Sequence, residues 1–266
     1  MAVFTLTAVA GAPGVTTSAL ALTFAWPRDV VLVDADRAAS QAVVSGYLAG
    51  RASDGRGLTS VAQAYRDGED LGTGLTDHMI PLPEPGAARR GDNWRRWFMP
   101  GFSRPGSARL FEPVWSELAA ALVDLDRAGT DVIVDAGRWG ASGPPSALLA
   151  VSRCLVIVTR SSLRALAALN VYMGDIGTHV PGDPLLLVVG AGHPYGGAEI
   201  GRHFGWSVRE LPWQPDDATW LSDGRPTRPR AASRPLARAA GDTATHLRGI
   251  AQQWDAQLSR TEACYA

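Results

Sequence analysis

The sequence contains no lysine: all 25 of its basic residues are arginine, set against 26 acidic ones, for a formal net charge of -1 over 266 residues. A charge this close to zero excludes a general electrostatic pull toward nucleic acid or an anionic membrane and leaves any such contact to a local patch. There are two cysteines, Cys154 inside an apolar run and Cys264 near the end. That is too few for a disulfide scaffold in a chain of this length, and a reducing, cytoplasmic setting is expected. No apolar run reaches the ~18 residues that a membrane span needs. The opening stretch MAVFTLTAVAGAPG has no basic segment and is broken by Thr5, Thr7 and Gly11, so neither a signal peptide nor a spanning helix is expected there. His78, His179, His193, His203 and His246 show no metal-ligand spacing, and no Ser-His-Asp arrangement is visible, which leaves metal hydrolysis and acyl transfer without support.

What is present suffices for a large core, since 46% of the residues are apolar. The expectation is one α/β domain over 1–266, with a variable Arg/aromatic insertion near 66–108 and a C-terminal helix near 235–258. Val3 to Val9 is a β-rich run ending at glycines, and Thr16 to Trp26 is an Ala/Leu-rich helical stretch stopped by Pro27. Val30 to Val33 is an all-apolar strand of the kind buried on both faces, followed by Asp34-Ala35-Asp36. Helical patterns follow at Gln41 to Leu48 and Leu58 to Tyr65, with short strands expected near His78 to Leu82 and Trp97 to Met99. Phe111 to Ala128 has helical spacing, and Asp131 to Asp135 (DVIVD) is a second buried strand ending in an acid. Strands at Arg153 to Thr159, Pro184 to Val189 and Ser207 to Leu211 alternate with helices at Leu163 to Ile176 and Ala198 to Phe204. The alternation predicts a doubly wound, mainly parallel sheet with helices on both faces and a site at the strands' carboxyl ends.

The stretch VAGAPGVTTS, Val9 to Ser18, falls between the first strand and the first helix. A phosphate-binding loop needs that context: glycines let backbone N–H groups face phosphate oxygens, the helix N-terminus adds positive potential, a lysine neutralises charge and a Ser/Thr hydroxyl meets Mg2+. Gly11 and Gly14 supply the turn, while Thr16 or Thr17 supplies the hydroxyl. Val15 stands where the lysine belongs. A glycine pair alone reads sooner as a tight strand-to-helix turn. The acids at the strand ends, Asp34, Asp36 and Asp135, tip the reading toward a nucleotide loop.

With these residues in place the chain resembles the ParA/MinD family of dimeric, deviant Walker ATPases, from about residue 3 to 258 and least so at 66–108. The family's K-G-G-x-G-K-[ST]-[ST] loop aligns with AGAPGVTT, Ala10 to Thr17, so both family lysines are missing, at Ala10 and Val15. The resemblance implies that Gly11, Ala12, Pro13, Gly14, Val15, Thr16 and Thr17 cradle ATP, that Thr16, Asp34 and Asp135 serve Mg2+, and that Asp36 positions the hydrolytic water. Asp135 matches the Walker B acid. Glu210 to Pro226, ELPWQPDDATWLSDGRP, resembles the segment lining the adenine side, which puts Pro212 there. Gly190-Ala191-Gly192 replaces the Asn-Arg that many members carry.

Losing one charge-assisted bond costs ~1.5 to 3 kcal/mol and losing an electrostatic donor in a transition state ~10² to 10³ in rate. The expectation is therefore weak ATP binding with slow or absent hydrolysis, in a homodimer that positions or regulates a cellular assembly (partition, pilus, secretion or conjugation) with a protein partner. A scaffold that binds no nucleotide, and an ATPase in which Arg37, Arg138 or Arg160 replaces the lysine, are the alternatives. Arg89, Arg90, Arg95, Arg96, Arg104 and Arg109 alternate with Trp94, Trp97, Phe98 and Phe102, a mixture suited to nucleic-acid backbones or a protein. A surface loop packing its own aromatics is the preferred reading, and the cluster Arg225, Arg228, Arg230, Arg234 and Arg238 is read as a solvated linker. Leu236, Ala240, Thr243, Leu247, Ile250, Ala251, Trp254 and Leu258 form a stripe read as a core helix, not a membrane anchor.

Overall fold

Strands covered on both faces read as unbroken apolar runs, and such runs build the middle of the sheet. The computed structural model describes residues 2–11, 14–51, 55–83, 94–140, 143–179, 182–223 and 234–265, with side chains in the last stretch described through 257 and at Arg260. The strands are β1 (Val3–Ala8), β2 (Val30–Asp34), β3 (Ile80–Pro81), β4 (Arg96–Met99), β5 (Asp131–Arg138), β6 (Cys154–Arg160), β7 (Leu185–Val189) and β8 (Ser207–Leu211). They form one sheet, ordered β3-β4-β2-β5-β1-β6-β7-β8, in which β3 is antiparallel to β4 and the other neighbours are parallel.

The helices are α1 (Val15–Ala25), α2 (Leu58–Asp67), α3 (Leu71–Gly74), α4 (Ser107–Leu110), α5 (Trp115–Arg127), α6 (Ser146–Val151), α7 (Leu163–His179), α8 (Gly197–Phe204), α9 (Pro215–Asp223) and α10 (Pro235–Tyr265). Alternate strand residues face opposite sides, so Phe4, Leu6, Val30 and Leu32 pack with Leu20 of α1, Leu221 of α9 and Leu247 of α10. Val3, Val31, Val33 and Val132 meet Val61 of α2 and Leu118 and Leu122 of α5 on the other side. Leu155, Ile157 and Leu186 extend that second face under Leu169 of α7 and Phe204 of α8. The doubly wound, mainly parallel arrangement expected from the alternation is the one observed.

Two segments differ from the sequence reading. The helix expected over Gln41 to Leu48 is a π-helical turn, Val43–Tyr47, flanked by left-handed Gln41 and Ala49. Its shape follows from contact with α9, because a Cβ on Gly46 would lie 1.8 Å from the Ser222 carbonyl oxygen. Helix α9 itself was not foreseen, since DDATWLSD offers little apolar periodicity.

The Arg/aromatic segment turns inward in its described part. Phe98, Met99 and Phe102 are buried, and the Arg96 guanidinium donates to the Thr23 and Phe24 carbonyls, both at 3.1 Å, capping the end of α1. Arg95 pairs with Asp29 at 3.1 Å. Phe98 and Phe102 thus pack inward as the preferred reading has it, but Trp97 and Phe98 belong to strand β4 instead of a surface loop and Trp94 is 44% exposed; Arg89 and Arg90 lie outside the described residues, as do Arg225, Arg228 and Arg230. Along α10, Leu236, Ala240, Thr243, Leu247 and Ala251 are buried, whereas Trp254, expected on the inward stripe, is 37% exposed. The side chain of Leu258 lies outside the described residues. Among the described residues no helix is long and apolar enough to cross a membrane.

Candidate functional site

Strand β1 runs into a loop whose glycines take conformations other residues avoid: Gly11 has φ +81° and Gly14 has φ +111°. Gly14 is also the N-cap of α1 and gives the helix no side-chain cap. Among the described residues a Cβ at Gly14 would meet nothing within 4 Å, so none of them fills the space there. Ala12 and Pro13 lie outside the described residues. Thr16 and Thr17 stand half-buried on the first turn of α1, and Ala10 is exposed. Val15, in the place of the lysine, is 7% exposed and belongs to the core cluster with Ala19 and Leu20.

The acids converge beside this turn because the strands are in register. Asp34 pairs with Asp135 across β2 and β5, and Leu6 of β1 flanks Asp135 on the other side. Asp34 and Asp135 are buried and Asp36 is half-buried. The Thr16 hydroxyl hydrogen-bonds the Asp135 carboxylate. Backbone N–H groups hold each acid: Gly137 donates to Asp135 at 3.0 Å, Asp36 to Asp34 at 3.2 Å and Ala38 to Asp36 at 2.9 Å.

Burial dominates the electrostatics. It pushes Asp34 up to about 8, with the charges of Asp135 and Asp36 adding to the rise against the Asp36 N–H. Asp135 is pushed up to about 6 by burial and by Asp36, against the pull of Thr16 and the Gly137 N–H. Asp36 is raised by burial, and the Ala38 N–H and Arg138 oppose it. Buried carboxylates that repel one another suit a hard divalent cation. Among the described residues no three of His, Cys, Asp and Glu are placed to hold one metal ion together. A cation here would therefore take few protein oxygens, from Thr16, Asp34 and Asp135, and fill its shell with water and phosphate, as Mg2+ characteristically does.

The candidate arginines are dispersed. Arg37 forks onto Glu112 at 3.0 and 3.1 Å, and Arg160 stacks over Trp213, 4.2 Å from the ring centre. Arg138, exposed at the end of β5, lowers the pKa of Asp36 and so faces an acid. Pro212 directly follows β8, on the same carboxyl edge as the loop but three strands away in the sheet order. A cavity of about 480 Å³ opens beside Thr16 and Thr17, bounded on its far side by Ser45, Gly46 and Ser222.

Two glycines and one arginine escaped the sequence reading. A Cβ on Gly101 would lie 2.6 Å from the Asp34 carboxyl carbon, and one on Gly137 would lie 2.2 Å from that of Asp36. Each glycine thus makes room for a carboxylate. The only signal was the position of Gly137 just after the acid-terminated strand; Gly101 gave none. Arg164, in the first turn of α7, packs on Gly11, with its Cγ 3.7 Å from where a Cβ would stand.

No family model and no curated protein sequence matches the chain. Solved structures do. The MinD chain in a MinC:MinD cell division complex from Aquifex aeolicus aligns with a TM-score of 0.67 at 15% identity, covering 94% of this chain and 96% of that one. A ParA family ATPase from Chlorobium tepidum gives 0.67 at 16% identity, covering 92% and 98%. The septum site-determining protein MinD from Pyrococcus horikoshii, complexed with Mg-ADP, gives 0.65 at 15% identity, covering 91% and 95%. With the strand order, the glycine turn and the acid-terminated strands, these matches identify the architecture: the chain has the fold of the ParA and MinD ATPases.

Proposed function

We propose that the chain is a nucleotide-dependent positioning or regulatory factor of the ParA/MinD type, a cytoplasmic homodimer that binds ATP with Mg2+ weakly, turns it over slowly or not at all, and serves a cellular assembly through a protein partner. The observation that carries this reading is the placement of Asp34 and Asp135 side by side next to the Thr16 hydroxyl and the glycine turn. In this scheme the loop backbone from Gly11 to Thr17 holds phosphate oxygens and Thr16, Asp34 and Asp135 hold the metal. Asp36 orients water, and Pro212 borders the base. Bound Mg2+ would neutralise phosphate charge, while Ala10 and Val15 contribute none. The P. horikoshii protein's complex with Mg-ADP and the A. aeolicus protein's complex with MinC support nucleotide and partner binding by analogy of fold.

The test is titration with a fluorescent ATP analogue, with and without Mg2+, alongside phosphate release. Saturable, Mg2+-dependent binding that weakens in Asp135→Asn, with little phosphate released, is the expected result. Turnover abolished by Asp36→Ala would instead establish a working ATPase. The burial of Val15 favours a second reading, a scaffold that binds no nucleotide. Absence of any saturable binding would select it.

A further inference from the structure

The loop has lost a positive charge at both Ala10 and Val15, yet a guanidinium lies against it. Arg164 is exposed, and its stem crosses the Gly11 face of the loop. A Cβ placed on Gly11 would be 3.7 Å from the Arg164 Cγ and 3.8 Å from its Nε. Gly11 has φ +81°, a conformation that disfavours any side chain, so this approach is kept open. Among the described residues Arg164 makes no hydrogen bond and no ion pair. Of the other arginines on this edge, Arg37 is engaged with Glu112 and Arg160 with Trp213, while Arg138 lowers the pKa of Asp36.

The start of α7 is fixed. The Ser161 hydroxyl donates to the carbonyls of Gly190 at 2.8 Å and His193 at 2.6 Å, and Ala165 is fully buried next to the loop. The Ala165 N–H closes the first turn onto the Ser162 carbonyl at 3.0 Å. The backbone that carries Arg164 is therefore held at a set position beside Gly11. A guanidinium is always charged, and its planar fork can meet two phosphate oxygens at once.

We propose that Arg164 supplies the positive charge the loop lacks, binding the phosphate oxygens of a nucleotide cradled by Gly11 and Gly14 from the Ala10 side of the turn. This rests on the nucleotide reading above. It assigns the cation to a helix packed on the loop instead of to the loop itself.

The experiment measures the Kd of a fluorescent ATP analogue with Mg2+ for the full chain and for Arg164→Ala, Arg164→Gln and Arg164→Lys. Arg202→Ala, an exposed arginine on α8, is the control, and thermal unfolding checks each fold. Loss of a charge-assisted bond raises Kd about 10- to 100-fold in Arg164→Ala. Arg164→Gln, which keeps the packing on Gly11, weakens binding similarly. Arg164→Lys retains part of the affinity, Arg202→Ala is unchanged, and added salt weakens wild type more than Arg164→Ala. Equal affinity in wild type, Arg164→Ala and Arg164→Gln overturns the assignment and leaves the nucleotide reading standing. So does a lysine variant as weak as the alanine one, since charge would then not be the cause. If wild type itself fails to bind, both fall together.

Discussion

Strand β5 carries one aspartate at its start, Asp131, and another, Asp135, near the carboxyl edge, and the two edges of the sheet treat them in opposite ways. At the amino edge Asp131 is fully buried, accepts the Trp26 indole N–H at 2.8 Å and an Arg248 N–H at 3.1 Å, and has Arg28 at 3.5 Å. Burial raises its pKa and the Asp126 charge adds to the rise, while Trp26, Arg248 and Arg28 pull it down. At the carboxyl edge Asp135 has acids for neighbours, and Asp34 beside it is pushed up to about 8. Burial alone therefore does not set the charge balance around an acid. The sign of the surroundings does: one edge has brought its own cations, and the other leaves room for one to arrive.

Removing the partnered acid gives the largest effect. Asp131→Ala leaves the Trp26 indole and the Arg248 guanidinium without their acceptor and Arg28 without its counter-ion, and lowers unfolding free energy by about 3 to 5 kcal/mol, read by urea denaturation. A loss below 1 kcal/mol would mean that the amino edge is not held by this cluster. Gly137→Ala comes next, because it forces a side chain into φ +63° and against Asp36. It costs about 2 to 3 kcal/mol, and a variant as stable as wild type would show that Asp36 moves aside freely.

Asp34→Asn has the opposite sign. It removes a buried like charge, so without Mg2+ at pH 8 the protein gains about 1 to 2 kcal/mol, and any rise in melting temperature on adding Mg2+ shrinks. Destabilisation by this substitution would contradict the electrostatic account of the carboxyl edge. The last is the pH profile. Asp34 and Asp135 have folded-state pKa values of about 8 and about 6, above the ordinary 3.8, so they bind protons more tightly when folded. Their contribution to stability is fully present below about pH 4 and is lost as pH rises through 6 and 8. Melting curves in that window, with and without Mg2+, should show a downward slope that Mg2+ flattens.

The acids of the carboxyl edge were legible because each ends or follows an apolar run, and a parallel strand buried on both faces leaves little doubt about where its last residue emerges. Asp131 was legible as the start of a strand but not as a hub. Its partners are Trp26, Arg28 and Arg248, and nothing local links residues so far apart in sequence. Arg164 was hidden for the same reason: it meets Gly11 only because β6, which precedes α7, lies beside β1. Of the three arginines chosen from sequence, Arg37 and Arg160 are near the right edge but a carboxylate and an indole elsewhere in the chain reached them first, while Arg138 acts on Asp36.

Helix α1 touches both edges. It begins at the glycine turn, and Trp26, its C-cap, donates to the Asp131 that Arg248 of α10 also grips. Eleven residues of helix span about 16 Å. A ligand that stabilises the turn is therefore expected to raise the free energy of locally opening this whole unit, and slowed amide hydrogen exchange to extend to Trp26 and to α10 around Arg248, at the opposite edge of the sheet from the turn.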